Sequence, residues 1–538
     1  GLRHYHFSTA VSTLLIIVYL DRETMDNSAQ NGTRAVNQRY NGYPPSQQHP
    51  PDGLNSGEYS GDAHSHLTLN PYLQPNPDLI PSSAIPDSVN VQTVSPSSAQ
   101  HFGHAVIHNE SRVEDKTYKD LIWAFLFFAH LIVVIILAAI ELKKTGMRSD
   151  INSGNEWIMT KSAAMCIVAT SITGMVFGIA WLRFLTIPFV SKCIIGVSTA
   201  GTASILFVNG AALIIFGHPL YAIGPLVSGL VIIAMYALFR NRMRFTAVLL
   251  EMAAACIQKH ETVQIVAIMA QLVMLAFCGF YITCFYNIFR TGTLWMIAPL
   301  AFSMCWTSAV IYSVLFISCV GMSGTWYFQS SMKNVVSSSV KNACTTSFGS
   351  ACLGSLIISI IKTLRFLLEQ AQNSAVREND GLAYCFVDCL LGCLEAIVGF
   401  ITDYAYVYVG IWGQTFCKGA QNTWQVITTN GLNMAVSNNF VNSVAFFSAI
   451  LGGFISVGAG AGVYFLNGAA DETSTTVLAL LWCLLIGALA TSIMIVPLST
   501  SVFTFVILWL EDPSALATTH AEFSDRLVAI TSELVSRT

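Results

Sequence analysis

The sequence predicts an all-α fold: a polytopic helical membrane protein with about ten transmembrane helices and a disordered N-terminal tail. Ten stretches between about Asp120 and Asp512 are each long and apolar enough to cross a bilayer, whose hydrocarbon core needs roughly 20 apolar residues of helix. Charged residues make up 10% of the chain and hydrophobic ones 54%, and the mean hydropathy is +0.58. A soluble domain carries about 25% charged residues, so this composition cannot build a water-facing surface. Ten of the 16 prolines precede Lys116, where aliphatic runs are few.

The tail comes first. Residues 1–115 hold Tyr43-Pro44-Pro45 and a further proline, glutamine and serine-rich run, which buries too little apolar area to offset its ordering entropy. Residues 7–20 have the apolarity of a signal-peptide core but no small-residue cleavage site. Residues 1–24 therefore read as a leader or an artefact, with Met25 as the start. Asn31 and Asn109 sit in glycosylation patterns that matter only on an extracytoplasmic tail.

The membrane domain is expected over 116–512. Its spans fall at about 121–142, 158–182, 187–216, 219–239, 263–286, 295–328, 346–368, 383–411, 440–466 and 475–510. Residues 245–260, entered through Arg240, Arg242 and Arg244, read as a short surface helix. A short C-terminal tail, 513–538, completes the plan. Basic residues collect on the cytoplasmic side of a membrane. The Arg240–Arg244 cluster, Lys259, Lys333, Lys341 and Lys418 share a side if both termini are cytoplasmic, while Lys143, Lys144 and Arg148 oppose that orientation.

The eighth span carries the chemistry. Asp388, Glu395 and Asp403 fall within roughly 80° of one helix face at about 100° per residue, and Gly392, Gly399 and Tyr406 share it. Carboxylates inside a span are costly and face a cavity or the bundle interior. Two readings follow: an acidic, glycine-relieved stripe that attracts a cation, or an Asp403 at the surface with Glu395 paired to a buried basic group or hydrogen-bond donor. Trp306, Trp326, Tyr327, Tyr404, Tyr406, Tyr408 and Trp412 cluster in the sixth and eighth spans. Such faces bind quaternary ammonium at about 2 kcal/mol when desolvated, and they also belt membrane interfaces.

Other patterns are plainer. Cys385, Cys389 and Cys393 recur at four-residue spacing without a nearby histidine, so they read as packing rather than a soft-metal site. Gly174 to Gly178 and Gly458 to Gly462 read as close-packing surfaces, and His130 as a satisfied interior residue. No nucleophile elbow, Walker motif or HExxH appears. The sequence points away from an enzyme, and no catalytic residue, cofactor or metal is expected. A net charge of −4 gives no reason to expect a nucleic-acid partner.

Cys393-Leu-Glu395, Ala405-Tyr406 and Gly413-Gln-Thr-Phe-Cys417 resemble the C-terminal signature of the choline transporter-like family. Asp403-Tyr404 stands where that family usually has Asn and a variable residue, and Gly419 replaces its Ser. Gly324-Thr-Trp-Tyr-Phe328, the glycine–serine run Ser347 to Ser355 with Arg365 after it, and Leu510-Glu-Asp512 are similar to three further family motifs. The resemblance covers about 320–512 most specifically. The short loop after the first span and the Pro/Gln/Tyr-rich tail look like those of the fungal and protist branch.

The resemblance implies a ten-span plasma-membrane carrier for choline or a related quaternary-amine cation, with alternating access or facilitated diffusion. Glu395, Asp388, Asp403 and the aromatic residues are the candidate substrate contacts, and Gly392, Gly399 and Gly413 the candidate packing or hinge positions. Membrane lipids and a small cation are the expected partners. The alternative is a membrane scaffold or sensor whose tail recruits soluble proteins through polyproline contacts, or a transporter of a different small solute. Deleting the tail separates a scaffold from a carrier.

Overall fold

The computed structural model describes residues 117–537 except 147–152, 216, 218, 240–241, 292–295, 329–333, 376–380 and 467–472. The Pro-rich tail, its glycosylation patterns and its expected partners lie outside the described residues. Within them the chain forms fourteen helices, ten of which are long and apolar enough to span a membrane.

Spans one to four are α1 (Leu121–Gly146), α2 (Ser153–Leu185), α3 (Pro188–Ile215) and α4 (Pro219–Phe239). Proline opens both α3 and α4, where its fixed φ suits the first turn and its missing N–H costs nothing. After α5 (Met243–Lys259) come spans five and six, α6 (Thr262–Thr291) and α7 (Ile297–Phe328). The short α8 (Val335–Cys344) precedes spans seven and eight, α9 (Phe348–Ala375) and α10 (Gly381–Trp412). Spans nine and ten lie in α11 (Phe416–Leu466) and α12 (Thr473–Glu511), followed by α13 (Pro513–Thr519) and α14 (Ala521–Arg537). The ten expected spans are all present.

Hydrogen bonds tie alternate span ends to one face. The Asp120 carboxylate, at the start of α1, accepts from Ser350 Oγ at 2.6 Å and from the Phe416 backbone N–H at 2.9 Å. Lys119 N donates to the Thr346 carbonyl at 3.0 Å. Tyr408 near the end of α10 donates to Glu511 Oε1 at 2.5 Å, and Tyr327 at the end of α7 to the Asp512 carbonyl at 3.0 Å. The first span therefore begins, and the tenth ends, on the same face.

Glycine brings α2, α11 and α12 together. A Cβ on Gly174 would lie 2.6 Å from the Gly487 carbonyl oxygen, and one on Gly178 at 2.6 Å from Met494 Cβ. Thr491 Oγ1 bridges the contact, donating toward the carbonyls of Gly174 (3.0 Å) and Gly487 (2.9 Å). Gly460 lies close against Thr170 and Cys483, whereas Gly458 and Gly462 face open space. Lipid gives no hydrophobic drive between helices, so such close approach carries the association.

Two segments differ from expectation. Residues 243–259 are not a surface helix: ten of the 17 residues of α5 are buried, and the helix sits beneath α12 and α3 in the main core. Its small residues, Ala253 to Cys256, let neighbours close over it. An apolar helix face reads alike whether lipid or protein covers it. Residues 513–537 form two helices against the bundle, α13 capped by Asp512, whose side chain accepts from Ala515 N at 3.1 Å. The α14 helix is tied to α5 by Arg526–Glu251 (2.6 Å) and Arg244–Glu533 (3.1 Å).

Candidate functional site

Glu395, Gly399 and Asp403 stand one turn apart on α10, because residues four apart lie one above another on a helix. Glu395 is 8% exposed and pairs with Arg365 of α9, itself 6% exposed, at 3.0 Å between Oε2 and Nη1. Of the two readings of this carboxylate, the pairing with a buried basic group describes its present contact. Removing two charges from water costs several kcal/mol per ion, and a close pair recovers much of that.

Asp403 differs. It is half-buried and feels the charge of Lys362, which stands three residues before Arg365 on α9. Among the described residues no direct ion pair joins Lys362 to Asp403. Between the two carboxylates, no atom of a neighbouring helix lies within 4 Å of where a Cβ on Gly399 would sit. The row thus carries one acid locked in an ion pair and one without a direct ion pair among the described residues. Cys305 of α7 lies near the locked pair, within reach of the Thr363 hydroxyl and of the charges on Lys362 and Glu395. The Asp388 side chain lies outside the described residues, as do those of Cys385 and Cys389.

The aromatic candidates do not converge on one point. Tyr406 lies one turn beyond Asp403, within its electrostatic reach. Its hydroxyl accepts from Ser313 Oγ (3.0 Å) and donates to the Ala351 carbonyl (3.1 Å). Gly354 leaves room for that hydroxyl, which a Cβ there would meet at 2.5 Å. Trp306 is held on the same stretch of α9 by its Nε1 bond to the Cys352 carbonyl (3.1 Å). Tyr404 turns toward α11, its hydroxyl 3.4 Å from the Met434 carbonyl.

Trp326, Tyr327 and Trp412 belong to the face where the first span begins and the tenth ends. Trp326 stacks on His520 with ring centroids 3.9 Å apart, and Trp412 stacks on Tyr408 at 4.9 Å. Burial holds the His520 imidazole below its ordinary pKa, with Lys259 adding to the effect and the Trp326 carbonyl opposing it. Gly413 ends α10 at φ +60°, with its N–H on the Val409 carbonyl at 3.1 Å. It serves as a left-handed helix stop. Gly392 is buried on α10.

Sequence reasoning passed over Lys362, although a lysine three residues before an arginine in an apolar span is itself a signal. His130 has its Nε2 2.8 Å from Ser303 Oγ, in a chain that continues to Tyr281 (2.7 Å) and Thr307 (2.9 Å). Among the described residues no group of three His, Cys, Asp or Glu side chains could hold a metal ion.

Ten helices long and apolar enough to span a bilayer define a multi-pass membrane protein. Residues 223–514 match the family described as plasma-membrane choline transporter; the match takes in more than half of the chain, and the chain belongs to this family. It is 23% identical over 330 residues to the protein PNS1 of Gibberella zeae, covering 57% of this chain and 61% of that one. With PNS1 of Yarrowia lipolytica it shares 32% identity over 148 residues, 26% of each chain. With a CTL-like protein of Dictyostelium discoideum it shares 24% over 387 residues, 68% of this chain and 69% of the other. The chain thus spans less than two thirds of the length of either PNS1 relative, and its similarities lie in the fungal and protist branch.

Proposed function

We propose that this protein carries choline or a related quaternary-amine cation across the plasma membrane by alternating access, past the row of Glu395, Gly399 and Asp403. The observation that carries the reading is that no neighbouring helix fills the space at Gly399, between two intramembrane carboxylates. An ammonium entering it leaves water, which is costly unless an anion and ring faces replace the lost hydration. Asp403 supplies the anion, and Tyr406, one turn deeper, a ring.

The direction follows from the same geometry. The Trp326–His520 stack and the Tyr327–Asp512 and Tyr408–Glu511 bonds tie down the face where the first span begins and the tenth ends, which supports a conformer closed on that side. That face also bears Arg244, Lys259, Lys341 and Lys418, which supports a cytoplasmic location for it and for both termini. A membrane potential favours inward movement of a monovalent cation by about 2.3 kcal/mol per 100 mV. No second ion is required to drive uptake.

Radiolabelled choline uptake into proteoliposomes tests the proposal. Asp403→Asn is expected to lower saturable uptake about tenfold or more, with a smaller loss of stability than Glu395→Gln, since it breaks no direct ion pair. Glu395→Gln is expected to lower uptake and stability together, because it strands Arg365. Undiminished saturable uptake by Asp403→Asn would sink the assignment.

A further inference from the structure

The helices α13 and α14 dock on the end of α7 and on α5. A helix leaves its last four carbonyls without partners of its own, and two of those four on α7 are met from the other end of the membrane domain. Thr519 Oγ1 lies 2.8 Å from the Tyr327 carbonyl, and His520 Nε2 3.1 Å from that of Trp326. The His520 ring covers the Trp326 indole, with centroids 3.9 Å apart and planes 12° from parallel. On the other side α14 reaches α5 through Arg526–Glu251 (2.6 Å) and Arg244–Glu533 (3.1 Å). Among the described residues of the two helices only Leu516, Ser524 and Leu527 are buried.

We infer that residues 513–537 form a releasable strap: docked, it holds α7 to α5 at the face where the tenth span ends, and its release lets that face open. The ties are of a kind that water can take over. Carbonyls at a helix end accept from water once a side chain leaves, at small net cost. The side chains of Arg244, Arg526 and Glu533 are each at least 36% exposed, so their ion pairs already stand partly in solvent. Glu251 is the exception, with 9% of its side chain exposed, and that makes Arg526 the main tie to α5. A hinge is also present. The α12 helix ends at Glu511, Asp512 has non-helical backbone angles (φ −142°, ψ 79°), and Pro513 then opens α13.

The chain carries its own reporters of such an opening. Leu516 and Leu527 share one core with Cys319 of α7 and Cys256 of α5, and both thiols are wholly inaccessible. Cys319 stands two turns before Trp326, on the same face of α7. Cys256 lies three residues before Lys259, whose charge reaches His520. Two other buried thiols sit elsewhere. Cys166 Sγ lies 3.8 Å from the Gly460 carbonyl, and Cys483 packs against the same glycine. Cys483 is about 42 Å of helix from Glu511 at 1.5 Å per residue. Opening at the strap exposes the first two thiols, whereas loss of the whole fold exposes all four.

The test uses no solute, so it stands whether or not choline is carried. The purified full-length protein is treated with N-ethylmaleimide, and labelling is followed at each cysteine by mass spectrometry. Arg526→Glu is expected to speed labelling of Cys256 and Cys319 about tenfold, with Cys166 and Cys483 within about twofold of the parent. Exchanging the pair, Arg526→Glu with Glu251→Arg, should return the rates to within about twofold of the parent. Thr519→Val with His520→Phe removes the bonds to α7 while keeping a ring on Trp326, and should speed the same two sites several-fold. That variant decides the matter if Arg526→Glu folds poorly. Unchanged labelling of Cys256 and Cys319, an equal rise at all four thiols, or an exchanged pair that labels as fast as Arg526→Glu would each overturn the inference.

Discussion

Arg365 and Glu395 show what a charge inside a bundle demands. Each is nearly inaccessible, and each is tolerable because the other is 3.0 Å away. Arg365→Ala leaves a buried carboxylate uncompensated and should cost about 3–5 kcal/mol. Replacing both residues by Met should cost far less, since no charge is then stranded. Thermal melts of the purified protein check this, and equal losses for the single and double variants would contradict it. The acidic stripe was legible from helical spacing alone. Its partners were not, because they sit on α9 some thirty residues away and no local pattern links Arg365 to Glu395. The aromatic residues were legible as a group but not as contacts. Trp306, Tyr404 and Tyr406 turned out to satisfy backbone carbonyls, a demand that any buried donor makes and that composition does not distinguish from ligand binding.

Among the elements, the ten spans were readable because the bilayer imposes a length and a composition that no soluble helix meets. The helices outside the spans were harder to recognise. The α5 helix carries an apolar face that serves equally on lipid or beneath α12. Residues 416–429 form a helix before the ninth span, bent at Asn430 (φ −129°), yet they are rich in Thr, Asn and Gln and show no apolar period. The α14 helix, mixed in composition, is fixed by ion pairs with residues nearly three hundred positions earlier. Small-residue packing was visible as glycine runs, and Gly174 supplies a test. A Cβ there meets the backbone carbonyl of Gly487 at 2.6 Å, an atom that cannot rotate away. Gly174→Ala should therefore push α2 from α12 and cost about 1–3 kcal/mol, seen as a lowered melting temperature. Gly458→Ala, where the space is open, should leave the melt unchanged.

At the scale of the whole molecule, the described residues form a helical bundle with a buried Arg365–Glu395 pair between α9 and α10. Family membership supplies the transporter class, and the carboxylates on α10 are the reason an organic cation is proposed as its cargo. The most direct measurement of that claim places a thiol where the space is. In a background with the exposed Cys193, Cys344 and Cys417 replaced by Ser, Gly399→Cys is treated in proteoliposomes with an impermeant trimethylammonium-bearing methanethiosulfonate. The account predicts modification from the side opposite the face where the tenth span ends, slowed several-fold by saturating choline and no longer protected once Asp403 is Asn. A thiol at 399 that reacts at one rate with or without choline, or that reacts from neither side, would contradict it.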